Sequence, residues 1–294
     1  MEEFSCFIKA PIKSNYSYSE TISAGGIYHV FVSNCHDPSQ SVKYNYNIIM
    51  LNPGGEQLGT GDIPLPTLYT VFICVWSLLC LLWLINWIQF RVTKILLHRI
   101  ITIQPFLKVI VLLYNIIYWR SLSQYGQINY WVNVMYYVLS MSWEALLFMS
   151  LLLISKGWSI TRQDISNQEL NAMLVSIFSL AFSYLLYKLI GGYYLFALVV
   201  IYIVLLKYML SNIAYNLNSL KSQLLLIRQQ RIDASSTVVF YKFQLFRAFQ
   251  TIMITWTFVQ ALIVVVVIFF LTNVPWVEAF LNEFVELFLF LGEG

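Results

Sequence analysis

Charge is what this chain has least of. Asp, Glu, Lys and Arg make up 11% of its 294 residues, where a soluble globular domain carries about 25%. With 59% hydrophobic residues there is too little polar surface to cover a fold in water, and the lipid bilayer is the expected surroundings. Histidine is scarce: His29, His36 and His98. There is no HExxH, CxxC, GxSxG or Gly-rich phosphate loop. No enzyme active site, metal centre or cofactor is expected, and no basic-aromatic pattern suits nucleic acid. A secretory signal is missing too. Met1-Glu2-Glu3-Phe4 is acidic where such a signal is basic, and no apolar run follows before residue 67. Targeting is expected from the first membrane helix or from a presequence already removed.

Long apolar runs are abundant. A membrane helix needs roughly 20 apolar residues, and seven spans are expected at about 67–90, 105–120, 130–155, 170–190, 193–210, 249–271 and 276–291. The first has no charge and runs into Arg91, Lys94 and Arg99. Pro105 suits the first turn of the second. The last is short and contains Glu278, Glu283 and Glu286, so it either spans or lies in the interface. Lys and Arg gather in loops 1–2, 3–4 and 5–6. The positive-inside rule puts those loops in the cytosol and the N-terminus outside or in a lumen.

The chain thus divides into residues 1–62, a small β-rich outer segment, and residues 63–294, an all-α polytopic domain. Gly26 to Cys35 and Ser41 to Leu51 read as strands. Cys6 and Cys35 are the cysteines outside the spans and can pair in an oxidising compartment. Asn15-Tyr16-Ser17 is a glycosylation sequon.

Several stretches, in order, resemble the GOLD-domain seven-transmembrane family, also described as lung seven-transmembrane or intimal-thickness-receptor-like proteins. They are Gly26 to Cys35, Gly61-Asp62-Ile63-Pro64-Leu65-Pro66, His98-Arg99 with Pro105-Phe106-Leu107-Lys108, Lys156-Gly157-Trp158-Ser159-Ile160-Thr161-Arg162, Lys242 to Arg247, and Trp276 onward with Glu286 and Gly292. The resemblance covers residues 26 to 294. It implies a GPCR-like seven-helix bundle and a role in Golgi or endosomal trafficking or in receptor-like signalling. The outer segment is shorter than the family's lumenal domain, which ranks a ligand-reading receptor lower.

Glu144 is the most informative single residue. It lies about 14 residues into the third span, roughly 21 Å along the helix and inside the hydrocarbon. A charge there costs roughly 2.5–3.5 kcal/mol even on a lenient scale. It is either an ion, proton or substrate site, or a buried carboxyl bonded to Lys108 or to hydroxyls such as Ser140 and Ser183. Glu283 and Glu286, one turn apart, face Lys108 or Lys188 inside the bundle, line a cation path, or belong to an interfacial helix. Ile213, Leu217, Leu220, Leu224 and Ile227 form a 4-3-4-3 seam. It is covered by a following helix bearing Phe240, Phe243 and Phe246, or it docks a protein partner.

The leading expectation is a Golgi or other endomembrane seven-helix protein acting in trafficking, or as a scaffold or accessory subunit, through protein–protein contacts. The alternatives are a cation channel or transporter using Glu144 and the last-helix carboxylates, and a receptor-like signalling protein.

Overall fold

A computed structural model describes residues 17, 19–22, 47–89, 96–190, 194–230, 233–270 and 274–293. The chain divides into two units, Met1–Ile48 and Ile49–Gly294. Cys6, Asn15, Cys35 and the first expected strand lie outside the described residues. Residues 47–51, the end of the second expected strand, are exposed and in no strand. A strand is held by its cross-strand neighbours, and among the described residues these have none. The described residues contain no sheet, only an isolated bridge between Trp158 and Arg162.

The second unit is seven helices: α1 Leu65–Gln89, α2 Leu96–Tyr125, α3 Tyr130–Lys156, α4 Asn167–Ile190, α5 Leu195–Gln229, α6 Val238–Phe270 and α7 Pro275–Glu293, with a short 3-10 turn at Ala234–Ser236. The first six are long and apolar enough to cross a membrane; the integral membrane class is therefore supported by the structure as well as by composition. On α1, Leu65, Tyr69, Phe72, Trp76 and Cys80 are buried. Val71, Leu78, Leu82 and Ile85, equally apolar, are exposed. A helix hydrophobic all round, with one face packed and the other open, suits lipid.

Helix ends follow local chemistry. Asn129 caps α3, its side chain accepting from the Trp131 N–H. Gly157 ends α3 at φ 76°, where its N–H and that of Trp158 reach back to Ile154 and Leu153 carbonyls. Ser166 and Glu169 cap α4 reciprocally, the Glu169 N–H donating to Ser166 Oγ and the Ser166 N–H to Glu169 Oε2. The expected start of the second span needs correction. Pro105 is inside α2, not at its first turn. Leu97 and Ile101, two turns and one turn earlier, are buried, and that packing carries the helix through the missing backbone donor.

The helices form a closed ring. Each packs on the next, α7 returns to α1, and α3 also touches α5. The central position of α3 explains why Trp143, Leu147, Phe148 and Leu151 to Ile154 are all buried.

Candidate functional site

The polar centre of the ring is built on α2, α3 and α7. Lys108, one turn beyond Pro105, is 2% exposed. Its Nζ donates to Glu283 Oε1 at 2.9 Å and to Glu286 Oε2 at 2.6 Å. The indole N–H of Trp143 donates to the same Glu286 oxygen at 2.6 Å. The ammonium also lies 4.9 Å from the centre of the Trp143 ring and 6.0 Å from that of Trp76, close enough for cation–π attraction. One turn before Lys108, the Gln104 amide donates to Ser150 Oγ at 2.6 Å.

Aromatic rings wall the cluster. Trp76 packs on Trp143 edge-on at 5.6 Å and on Phe290 at 5.2 Å. Phe72 meets Phe280, and Trp83 meets Phe290. These contacts fasten α1 to α7 around the ion pairs. Fully ionised, one ammonium and two carboxylates sum to −1. The Trp143 N–H is the additional donor that takes up part of this excess. In a water-poor interior such a cluster holds only when its charges are paired and hydrogen-bonded.

The facing of α7 explains why its carboxylates meet Lys108. Glu283, Val285, Leu289 and Phe290 are buried, and Glu286 is half-buried. Phe280, Phe284, Phe288 and Leu291 are exposed. Glu283 and Glu286 point inward, and Phe280, Phe284 and Phe288 outward. An interfacial helix does the reverse, keeping its charged face in water. Glu278, in the first turn of α7, is exposed. There it suits the positive end of the helix dipole.

Glu144 is not part of this cluster. It follows Trp143 by one residue, a rotation of roughly 100°. It is half-buried and within electrostatic range of Tyr184 on α4 and Tyr202 on α5. The expected pairing with Lys108 is replaced by the two α7 carboxylates. Ser140 Oγ donates to the Tyr136 carbonyl.

The seam of α5 is covered rather than open. Ile213 and Leu220 are buried, and Leu217, Leu224 and Ile227 are half-buried. Helix α6 packs on α5 and contributes Val239, Phe243 and Phe246 to the same core. Of the two readings of the seam, this is the arrangement expected when a following helix covers it.

Two features were missed in the sequence. Trp143 has no signal of its own, being one of nine tryptophans. Asn216, buried on α5, donates to the Ser155 carbonyl at 2.9 Å and accepts from Thr161 Oγ1 at 3.1 Å. It ties the turn after α3 to α5. With Asn212 and Asn218 close by, the sequence carries no signal that singles it out.

Among the described residues, no three His, Cys, Asp or Glu side chains are grouped to hold a metal ion. No family model matches the chain. The chain is similar to the Arabidopsis thaliana protein named candidate G-protein coupled receptor 6, with 26% identity over 175 residues, 58% of this chain and 40% of that protein. It spans about two fifths of the length of that relative. Seven helices in a closed ring and this likeness together support a GPCR-like membrane protein.

Proposed function

We propose that the chain is a receptor-like seven-helix protein of the Golgi or another endomembrane that acts in trafficking, as an escort, scaffold or accessory subunit, through protein–protein contacts and without enzymatic chemistry. The observation that carries this reading is the tie from Lys108 to Glu283 and Glu286. A buried ionisable residue in a membrane is a functional feature by default. Here the α7 carboxylates are taken by the chain's own lysine under a tryptophan wall, so they fasten helices rather than line an open path. A buried ion cluster of this kind is suited to registering one bundle arrangement against another. Helix α7, 19 residues long, measures about 28 Å, close to the thickness of a hydrocarbon core of about 30 Å, and we read it as a seventh span beside the six helices long and apolar enough to cross. We place loops 1–2, 3–4 and 5–6 in the cytosol on their basic residues, with the α5–α6 hairpin projecting there. The family proposed is the GOLD-domain seven-transmembrane family, on the ordered motifs; the plant relative supports the GPCR-like class.

The test is purification of the chain in mild detergent, with mass spectrometry of co-purifying proteins. The expected result is a partner set at fixed stoichiometry that changes in Lys108→Met. A lone chain that passes cations in liposomes would sink the proposal. A second reading, cation conduction, is favoured by one observation: Glu144, in the interior of α3, shares Tyr184 and Tyr202 as electrostatic neighbours with Glu286 of the Lys108 cluster. It requires flux that is lost in Glu144→Gln while the protein stays folded.

A further inference from the structure

A second polar concavity lies beside the turn that follows α3. It follows from a backbone constraint. Gly157 turns the chain at φ 76°, and the loop folds back so that Thr161 and Arg162 donate their N–H groups to the Gly157 carbonyl. Asn216 then pins Thr161 to α5. Helix α6 leans on α5 beside this turn. The three elements leave a cavity of about 220 Å³ bordered by Thr161, Arg162, Asn216, Ser219, Gln223 and Lys242.

The lining chemistry is one-sided. Arg162 and Lys242 bring two cations, and Ser219 and Gln223 bring neutral donors, the Thr161 hydroxyl being committed to Asn216 Oδ1. No carboxylate lines the cavity. The nearest acid on the Arg162 side is Glu169, 3.5 Å from the guanidinium and already 3.1 Å from Lys156. Arg162 is further braced over the Tyr215 ring at 5.7 Å. Among the described residues Lys242 has no carboxylate within salt-bridge distance. Cations grouped in a cleft with neutral donors and no lining acid concentrate anions. An arginine fork beside a lysine point charge, a serine hydroxyl and a side-chain amide is the chemistry that grips a phosphate. Pockets for drug-sized ligands measure about 300–1,000 Å³, so this one suits a single headgroup.

We propose that this cavity binds a phosphate monoester presented by the headgroup of an anionic lipid in the adjoining leaflet. The leaflet assignment rests on the orientation proposed above. A phosphorylated headgroup lodged there touches the α3–α4 turn, α5 and α6 together, which makes hairpin position dependent on the lipid.

The test uses the full chain in phosphatidylcholine nanodiscs, titrated with a short-chain phosphatidylinositol monophosphate and followed by the unfolding midpoint. Both faces of a disc are accessible, so the result does not depend on which side is cytosolic. The expected result is a rising midpoint in the wild type. Lys242→Gln should need on the order of tenfold more lipid for the same rise, as losing one charged hydrogen bond implies. Lys242→Arg should restore it, and Arg228→Gln, an exposed cation of the same hairpin outside the cavity, should behave as wild type. Phosphatidylserine, which has no monoester, should give no rise. An equal rise with inorganic phosphate or a soluble inositol phosphate would overturn the lipid source. No rise, or equal weakening in Arg228→Gln, would overturn the site.

Discussion

Lys108 Nζ stands 2.6 Å from Glu286 Oε2, across 178 positions of sequence, and the same ammonium reaches Glu283 one turn earlier on α7. Removing the lysine alone leaves two carboxylates with no counter-charge. Lys108→Met is expected to destabilise the bundle by about 3–5 kcal/mol, the range for breaking a buried pair from one side. The triple variant Lys108→Met, Glu283→Gln, Glu286→Gln should recover most of that. Unfolding midpoints of the two variants in one detergent check the prediction. Equal losses would show that charge pairing is not what holds α7.

The two tryptophans around this cluster separate ring from N–H. Trp143 donates to Glu286, whereas the buried Trp76 indole N–H has no hydrogen-bond partner in the structure. Trp143→Phe should cost about 1.5–3 kcal/mol, the value of a hydrogen bond to a charged group. Trp76→Phe should cost less, because it removes a donor that is unsatisfied. The order of the two midpoints is the readout.

Gly157 sits at φ 76°, and a Cβ there would fall 2.1 Å from Thr161 Oγ1 and 3.1 Å from Asn216 Oδ1. Gly157→Ala therefore meets left-handed strain of about 1–2 kcal/mol and overpacking of about 1–3 kcal/mol. Gly292→Ala is the control. Its Cβ would meet the tip of the Ile252 side chain at 3.0 Å, which can give way. A larger midpoint loss for Gly292 would contradict the turn's role.

On the α5 seam, Leu220→Ala should cost about 2–5 kcal/mol, as buried leucines do, and Leu224→Ala distinctly less, since Leu224 is only half-buried. Hydrogen exchange should rise along α6 from Val239 to Phe246 in the first variant. If both variants leave α6 protection unchanged, the seam is not its support.

What could be read from the sequence was what is local. The charge-free run that became α1 follows from hydropathy over consecutive residues. The continuation of α5 beyond the span follows from the seam's heptad spacing. The Lys108 cluster was legible only as a list of options, because it depends on the rotation of α2, α3 and α7 about their axes. A hydrophobic run does not encode that rotation. Pro105 misled because its preference for a first turn competes with the packing of Leu97 and Ile101. The Ser166–Glu169 cap was on the page, but hydropathy alone drew the start of α4 at the first apolar residue. Trp143 could not be singled out, since its role is set by a neighbour far along the chain.

The separation between Lys108 and its partners has a consequence for biosynthesis. Translation at 5–20 residues per second puts Glu283, 175 positions downstream, roughly 10–35 s behind Lys108. Throughout that interval α2 carries a cation whose counter-ions do not yet exist, and the ring cannot close. Completion of the last helix is thus the event that neutralises the second. A ribosome that stops short of α7 releases a product with an unmatched lysine, a cost that the finished bundle does not carry.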